Sequence, residues 1–363
     1  MTAPTDTTSL RTTKPWAAGV RVGPIGVSWK PRALVATVVT LVVVLALLVL
    51  GITVGGGGLD PTAVVRALAG LGDTAERFVV LELRLPRSLT GVLVGFALGI
   101  AGALTQTFAR NPLATPDILG VTSGASVGAV AAIVLGGGSY AVGNGLITLG
   151  LPACAAIGAI VAAVIVYGLG WRGGISSYRI ILVGIGVGAT LDALTSYLLV
   201  RAQIAQAAAA SQWLVGSLSA VSWTSVTPLL TVVAIATPLA LASSAALAVG
   251  QLGDDVARGV GLRLQVHRLI VIALAVAFTS AAVAAAGPVG FVAFVVPQIA
   301  VRLAGTNRPP LMLSGLVGSA LVLAADTAAR TLFPWEVPVG IITVVVGAPY
   351  LIWLLVRHRK ELT

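Results

Sequence analysis

Side chains that could carry catalytic chemistry are few in this sequence and lie far apart. All three lysines fall in the terminal regions, so the sequence contains no GxxxxGK[ST] phosphate-binding loop. His267, His358 and Cys154 do not have the spacing of a metal site or of a nucleophile with its base. We therefore predict no catalytic residue, no metal site and no cofactor on this chain.

One acidic residue, Asp192, lies well inside an apolar stretch long enough to cross a membrane. A carboxylate at membrane depth is costly and marks a functional position by default. It could carry a proton in an ion-coupled transporter, or it could face an aqueous cavity or pair with a neighbouring polar group. The sequence offers it no basic partner at membrane depth, which favours the second interpretation.

The segment VGQLGDDVARGVGLR is the longest charged interruption in the second half of the sequence. Gly253 and Gly261 bracket a predicted short helix with Asp254 and Asp255 in its first turn and Arg258 in its last, which suits the helix dipole. Composition alone is compatible with a solvated connecting loop or with a surface on which another protein docks.

Composition places the chain in a lipid bilayer. Hydrophobic residues make up 57% and charged residues 9% of the chain, whereas soluble domains carry about 25% charged residues. A helix needs about 20 apolar residues to cross the bilayer. The sequence therefore predicts an all-α polytopic protein of about ten transmembrane helices in one domain, residues 33–357. The predicted spans are residues 33–54, 88–109, 117–136, 145–168, 178–200, 222–248, 267–286, 288–304, 310–328 and 338–356.

The distribution of positive charge predicts the orientation of these helices. With the N-terminus in the cytoplasm, most of the 22 Lys and Arg residues fall on the cytoplasmic side, as the positive-inside bias requires. An even number of spans puts both termini in the cytoplasm, so we expect a multi-pass protein of the cytoplasmic (inner) membrane. The basic residues are spread over many loops, which argues against nucleic-acid binding.

Both ends of the chain are predicted to be short tails. Residues 1–32 are basic and lack an apolar core, so we expect a disordered cytoplasmic tail and no cleavable signal peptide. Residues 358–363 are expected to form a C-terminal cytoplasmic tail. In the predicted second span, Gly91, Gly95 and Gly99, together with Gly102, have the spacing that lets membrane helices approach closely.

Three arginines stand out because they fall on the predicted outer side, where basic residues are scarce: Arg84, Arg87 and Arg330. They could be anchors whose charged ends reach the membrane interface, or they could contact another protein. Asp326 and Glu336 flank the same outer loop, where they could hold Arg330 in place.

Several motifs occur in the order found in the FecCD family of ABC importer permeases, which the chain resembles from residue 34 to residue 357. They are RLPR, NPLATPDILG, LGDDVARGVG, AGPVGFVAFVVPQIA, ADTAAR and EVPVGIITVVVGAPYLIWLL. Members of that family import ferric siderophores, haem or vitamin B12. The segment WRGGISSYRIILVGIGVGA is most similar to the ferric-enterobactin branch.

The resemblance implies roles for three groups of residues. ATPase-coupling helices at 250–263 would include Leu252, Gly253, Asp254, Asp255, Ala257, Arg258 and Gly261. Contacts with acidic residues of a substrate-binding protein would be made by Arg84, Arg87 and Arg330. Positions at the inner gate of the translocation path correspond to Asn111, Leu113, Ser177 and Tyr178, although turn formation alone would explain Asn111. Gln298 departs from the family pattern, which usually has histidine there, so a titratable role is doubtful.

The resemblance also implies an assembly and a mechanism. The chain would be a type II ABC importer permease that pairs with a second FecCD-type permease, as a heterodimer or a homodimer, and with two copies of a cytoplasmic ABC ATPase that hold ATP and Mg. A siderophore-binding protein outside the cytoplasm would deliver the cargo, and alternating access between the two permeases would move it. Haem or cobalamin import is the alternative cargo, and an ion-coupled secondary transporter is the alternative class. An intramembrane hydrolase would need a nucleophile and a base at membrane depth.

Overall fold

The computed structural model describes residues 19–22, 25–28, 30–54, 60–136 and 150–359, and helices dominate them. The helices are α1 (Pro31–Thr53), α2 (Pro61–Leu68), α3 (Thr74–Phe78), α4 (Leu85–Ala109), α5 (Val121–Leu135), α6 (Gly150–Gly170), α7 (Ser177–Arg201), α8 (Ile204–Leu214), α9 (Trp223–Ala242), α10 (Ser244–Gly250), α11 (Asp254–Gly259), α12 (Leu264–Ala286), α13 (Val292–Ala304), α14 (Leu311–Thr331) and α15 (Val339–Arg359). A π-helical turn, Val79–Arg84, runs into α4, and a 3-10 helix, Pro116–Leu119, precedes α5.

Seven helices in the described part of the chain are long and apolar enough to cross a membrane. They are α1, the continuous helix Thr74–Ala109 that ends as α4, α6, α7, α9, α12 and α14. Three shorter apolar helices, α5, α13 and the segment Val339–Trp353 of α15, occupy the other predicted spans. The helical, multi-pass character is therefore confirmed, while the number ten stays a prediction because these three are shorter than a straight span requires.

The N-terminal tail differs in part from the disordered segment that the sequence predicts. Strands β1 (Gly19–Val22) and β2 (Ile25–Ser28) pair antiparallel, with Val20 opposite Val27 and Val22 opposite Ile25. β-branched residues such as these valines favour strands. The prediction of a tail was based on charge and did not include the two strands. Residues 1–18, 23–24, 29 and 360–363 of the predicted tails lie outside the described residues. Helix α1 begins at Pro31, and α15 runs on to Arg359.

Several predicted spans begin or end elsewhere because the backbone turns sharply. The predicted span 117–136 starts as the 3-10 helix, and Gly120 at φ 69° separates it from α5. The predicted span 288–304 starts only at Val292, because Phe291 takes φ 64°. The predicted span 222–248 is divided at Ser243 into α9 and α10.

Helix α4 packs closely on its neighbours through glycine. A Cβ atom built on Gly95 would lie 2.2 Å from the carbonyl oxygen of Gly318 on α14, and Gly99 and Gly102 are as close to neighbouring backbone. No larger residue fits at such a contact, so the predicted packing role is confirmed at these three positions. Gly91 meets only side chains, the nearest at 3.3 Å.

Two hydrophobic cores share α12. One surrounds Phe278 and joins α12 to α4, α9, α13 and α14, and the other includes Ile133 and Ile180 and joins α12 to α5, α6 and α7. The outer faces of α1 and α7 remain apolar and exposed, as at Val42 (60%) and Val200 (85%). Such surfaces are suited to lipid or to another membrane subunit.

Long-range contacts define the two ends of the bundle. At the end that we call the α11 end, Arg110 at the end of α4 contacts Asp254, and Arg32 at the start of α1 contacts the Arg302 carbonyl. At the opposite end, which we call the arginine end, Arg87 contacts Asp326.

Candidate functional site

Helix α11 is held between two glycines, as the sequence predicts. Gly253 and Gly261 have φ values of 111° and 83°, a region that L side chains rarely adopt. These backbone conformations set α11 off from α10 and α12, so the short helix forms a separate feature at the α11 end.

Asp254 ties α11 to the membrane helices. Its Oδ1 atom lies 2.6 Å from Nη2 of Arg110, and its Oδ2 atom lies 2.8 Å from Nη2 of Arg268 on α12. Arg268 also donates to the Ile175 carbonyl at 2.6 Å, which brings in the segment before α7. Burial alone would raise the pKa of the Asp254 carboxyl, but hydrogen bonds and charge from the two arginines outweigh it and lower that pKa.

The opposite face of α11 is apolar and exposed. Val256 and Val260 are four residues apart and are 49% and 66% exposed, so they lie on one side of the helix. Leu252, which is 68% exposed, lies just outside α11, before Gly253. Ala257 is fully buried on the inner face. Of the predicted coupling residues, Asp255 is the most exposed, and its side chain approaches only Arg258 at 3.4 Å.

The sequence-based prediction did not include four of these residues: Val256, Val260, Arg110 and Arg268. The spacing of Val256 and Val260 could have revealed the apolar face of α11, because four residues is close to one helical turn. Arg110 and Arg268 could not have been found in this way, because no local spacing pairs them with Asp254.

The predicted gate residues lie near the α11 end, close to the end of α4. Ser177 donates from Oγ to the Phe108 carbonyl at 3.3 Å. Asn111 accepts the Leu113 amide at 2.9 Å, so its side chain closes the local turn. Leu113 (43%) and Tyr178 (77%) are exposed and available to a second subunit.

Gln298, where the family pattern has histidine, makes an interhelical hydrogen bond. Its Nε2 atom donates to Oε1 of Gln106 at 2.6 Å, and Nε2 of Gln106 donates to the Phe294 carbonyl at 2.9 Å. The pair joins α4 to α13 without a titratable group.

At the arginine end a buried carboxylate holds two of the three predicted arginines. Asp326 is only 1% exposed and lies 2.8 Å from Nη2 of Arg87 and 3.0 Å from Nη2 of Arg330. Glu336 pairs with Arg87. The expected contact between Arg330 and Asp326 is therefore present, whereas Glu336 pairs with Arg87 and not with Arg330.

Two of these arginines also bind the end of α1. Arg84 donates to the carbonyls of Ile52 and Thr53, both at 3.0 Å, and Arg330 donates to the carbonyl of Val54 at 3.1 Å. Helix ends leave such carbonyls without intrahelical partners. The arginines are thus built into the protein rather than extended into the membrane interface.

The same arginines line a cavity of about 400 Å³ that also has Trp335 and Glu336 in its wall. Three guanidinium groups and the two carboxylates of Asp326 and Glu336 leave this cluster with a formal charge of +1. For the arginines to have the expected docking role, side chains of the binding protein would therefore have to enter this cavity.

Asp192 is exposed on α7, and its carboxylate has no partner among the described residues. Pairing with a neighbouring polar group is therefore not observed, which leaves an aqueous or subunit-covered environment. The described residues contain no group of three or more potential metal ligands, and Cys154 is a free thiol.

A model of the FecCD transport family matches residues 41–357. The chain belongs to this family. The family predicted from the motifs is therefore confirmed, and the protein is an ABC transporter permease whose relatives are transport proteins rather than enzymes.

Individual relatives agree with the family assignment. The ferric enterobactin transport system permease protein FepG of Escherichia coli (strain K12) is 38% identical over 312 residues, covering 86% of this chain and 92% of the relative. The cobalamin import system permease protein BtuC of Halobacterium salinarum is 38% identical over 317 residues, covering 85% and 82%. A solved structure described as an inward-facing metal-chelate type ABC transporter superimposes with a TM-score of 0.77 at 26% identity, covering 88% of this permease and 98% of that chain.

Proposed function

We propose that this permease is the membrane subunit of an ATP-driven importer of ferric siderophores. It pairs with a second FecCD-type permease, preferentially a different one, and with two copies of a cytoplasmic ABC ATPase. A binding protein outside the cytoplasm delivers the ferric siderophore. Both termini and the α11 end then lie in the cytoplasm.

The observation that carries this proposal is the construction of α11. Val256 and Val260 form an exposed apolar face on this helix, while Asp254 fixes the helix to α4 and α12 through two arginines. A partner that binds this face can therefore push directly on two central membrane helices. An ATPase that closes around ATP is such a partner, and its motion shifts the permease between conformations.

The arginine end supports delivery by a binding protein. The net positive cavity lined by Arg84, Arg87 and Arg330 is suited to carboxylates on the docking face of that protein. The buried pairs with Asp326 hold the guanidinium groups in position before docking, which lowers the cost of ordering them.

The translocation path is assigned to the exposed face of α7. Tyr178 at its start and Asp192 further along are exposed, and a carboxylate on a membrane helix avoids lipid. A second permease that covers this face would create a passage containing both residues, with Asn111, Leu113 and Ser177 near its cytoplasmic mouth. Alternating access then opens the passage to one side at a time.

Ferric siderophores are favoured as cargo over haem and cobalamin. At equal identity, the alignment with this permease covers 92% of the enterobactin relative and 82% of the cobalamin relative. The segment of residues 171–189 also resembles the enterobactin branch.

Uptake by cells that lack this gene tests the cargo assignment. Radiolabelled ferric complexes of catecholate, hydroxamate and carboxylate siderophores, together with haem and cobalamin, are supplied separately to deletion and complemented strains. We expect loss of uptake for one class of ferric siderophore and recovery on complementation. Selective loss of haem or cobalamin uptake would overturn the assignment.

A further inference from the structure

Helices α6, α9 and α12 enclose a cleft of about 490 Å³ that opens on the outside of the bundle. Its walls are mainly apolar, with Ala156 and Ile160 on α6, Leu229 and Val232 on α9, and Ala281 on α12. All three helices are long and apolar enough to cross a membrane, so a cleft that opens between them on the outside of the bundle is accessible to lipid. Its volume lies in the range of about 300–1,000 Å³ that is usual for ligand sites.

The cleft continues toward the arginine end into a polar pocket of about 340 Å³. Thr224 and Ser225 line both spaces, and the polar pocket adds the hydroxyl groups of Ser217, Ser219 and Ser222. Ser219 also lines the arginine cavity. Polarity therefore rises along one direction, from hydrocarbon-like walls through hydroxyl groups to a net positive cavity.

One hydroxyl group in the apolar part lacks the partner expected for a buried atom. Ser280 is 4% exposed, lines the cleft, and its Oγ has no hydrogen-bond partner among the described residues. Buried polar groups of this kind usually bind a ligand, water or another polar group.

The length of the cleft matches one leaflet of a bilayer. Along α6 it extends from Gly150 to Ile160, which at 1.5 Å per residue is about 15 Å. The hydrocarbon core of a bilayer is about 30 Å thick. One acyl chain therefore fits between the serine-lined mouth and the middle of the membrane.

We propose that this cleft binds a glycerophospholipid from the leaflet at the arginine end. One acyl chain lies between α6, α9 and α12, the ester and glycerol oxygens accept hydrogen bonds from the serine hydroxyls, and the phosphate points toward the arginine cavity. No basic side chain lines the mouth itself, so a free fatty acid would leave its carboxylate without a cation there. The bound lipid holds α9 against α6 and α12 beside the docking region.

The test uses the full chain in nanodiscs that contain phosphatidylglycerol with a diazirine on one acyl chain. Ile160→Trp fills the cleft, and Ile157→Trp is the matched control, because both isoleucines lie on α6 and are 50% exposed but only Ile160 lines the cleft. Photolabelled peptides are identified by mass spectrometry. Val232→Trp provides a second cleft-filling variant if Ile160→Trp does not fold.

We expect labelling to concentrate on the cleft residues of α6, α9 and α12, to fall severalfold in Ile160→Trp, and to stay unchanged in Ile157→Trp. An excess of free palmitic acid, present during photolysis, should not reduce this labelling. Equal labelling of both variants would overturn the proposal. Labelling that is distributed uniformly over α1, α7 and the cleft helices would also overturn it. Displacement by palmitic acid, or a protein segment cross-linked into the cleft, would also overturn it.

Discussion

Arg110, the residue that follows the last turn of α4, lies 2.6 Å from Asp254, the first residue of α11, although 144 positions separate them in the chain. The contact joins the central helix of the bundle to the short helix whose apolar face is exposed. A force applied to α11 therefore reaches α4 through this ion pair and reaches α12 through Arg268.

Asp254→Asn should uncouple ATP hydrolysis from transport. The amide keeps the size of the side chain but removes the charge that holds Arg110 and Arg268, at a cost of about 1–2 kcal/mol for a partly exposed, charge-assisted pair. Siderophore transported per ATP hydrolysed should fall in proteoliposomes that contain the complete importer. Glu82→Gln is the control, since it removes one exposed carboxylate that lies outside the coupling segment, and it should behave as wild type. Equal coupling in both variants would remove Asp254 from the coupling path.

The stabilising effect of Asp254 should depend on pH only in acid. Its carboxyl has a pKa lowered in the folded protein, because the arginines outweigh the effect of burial. Such a group stabilises the fold fully above the unfolded pKa of about 3.9 and loses this effect as pH falls through the lower folded value. The difference in melting temperature between wild type and Asp254→Asn should thus stay constant from about pH 8 to pH 5 and shrink below about pH 4. A difference that changes near neutral pH would point to another group, such as His267.

Gln298 should act as a hydrogen-bond donor and not as a titrating group. In Gln298→Leu the buried Oε1 of Gln106 loses its donor, and the free energy of unfolding should fall by about 1–3 kcal/mol. Gln298→His restores a ring N–H donor and should cost less. Thermal unfolding of the two variants distinguishes these outcomes. If leucine and histidine were equally tolerated, the contact between the two glutamines would have no stabilising role.

Glu336 should tune the docking of the binding protein. Glu336→Gln makes the arginine cavity more positive, so association should become faster and more sensitive to ionic strength, because charges at the rim of an interface act mainly on the association rate. Glu82→Gln changes the net charge equally from an exposed position that does not line the cavity, and it serves as the control. Surface plasmon resonance at two salt concentrations measures both. Identical kinetics for the two variants would place docking elsewhere.

Much of the membrane architecture follows from local sequence features. Long apolar stretches predict helices wherever they occur, and α12 and α14 begin and end within a few residues of the predicted spans. Gly253 and Gly261 likewise indicate α11, because backbone at positive φ favours glycine. The apolar face of α11 at Val256 and Val260 follows from the helical period.

Other features depend on distant contacts and could not be predicted locally. The burial of Asp326 between Arg87 and Arg330 requires α4 and α14 to pack together. Phe291 takes a left-handed conformation that sequence alone does not predict for an aromatic residue, so the start of α13 was misplaced. The pairing of Gln298 with Gln106 likewise appears only once α13 lies against α4.

The most direct test of ATP-driven import is transport in proteoliposomes that contain this permease, its partner permease, the ATPase and the binding protein. We predict that accumulation of the labelled ferric siderophore requires ATP on the side of the membrane where the ATPase is bound. Accumulation should persist when a proton ionophore is added, and it should also persist in the Asp192→Asn variant. Accumulation by this chain alone, driven by an imposed proton gradient and abolished by Asp192→Asn, would contradict the account and support an ion-coupled transporter.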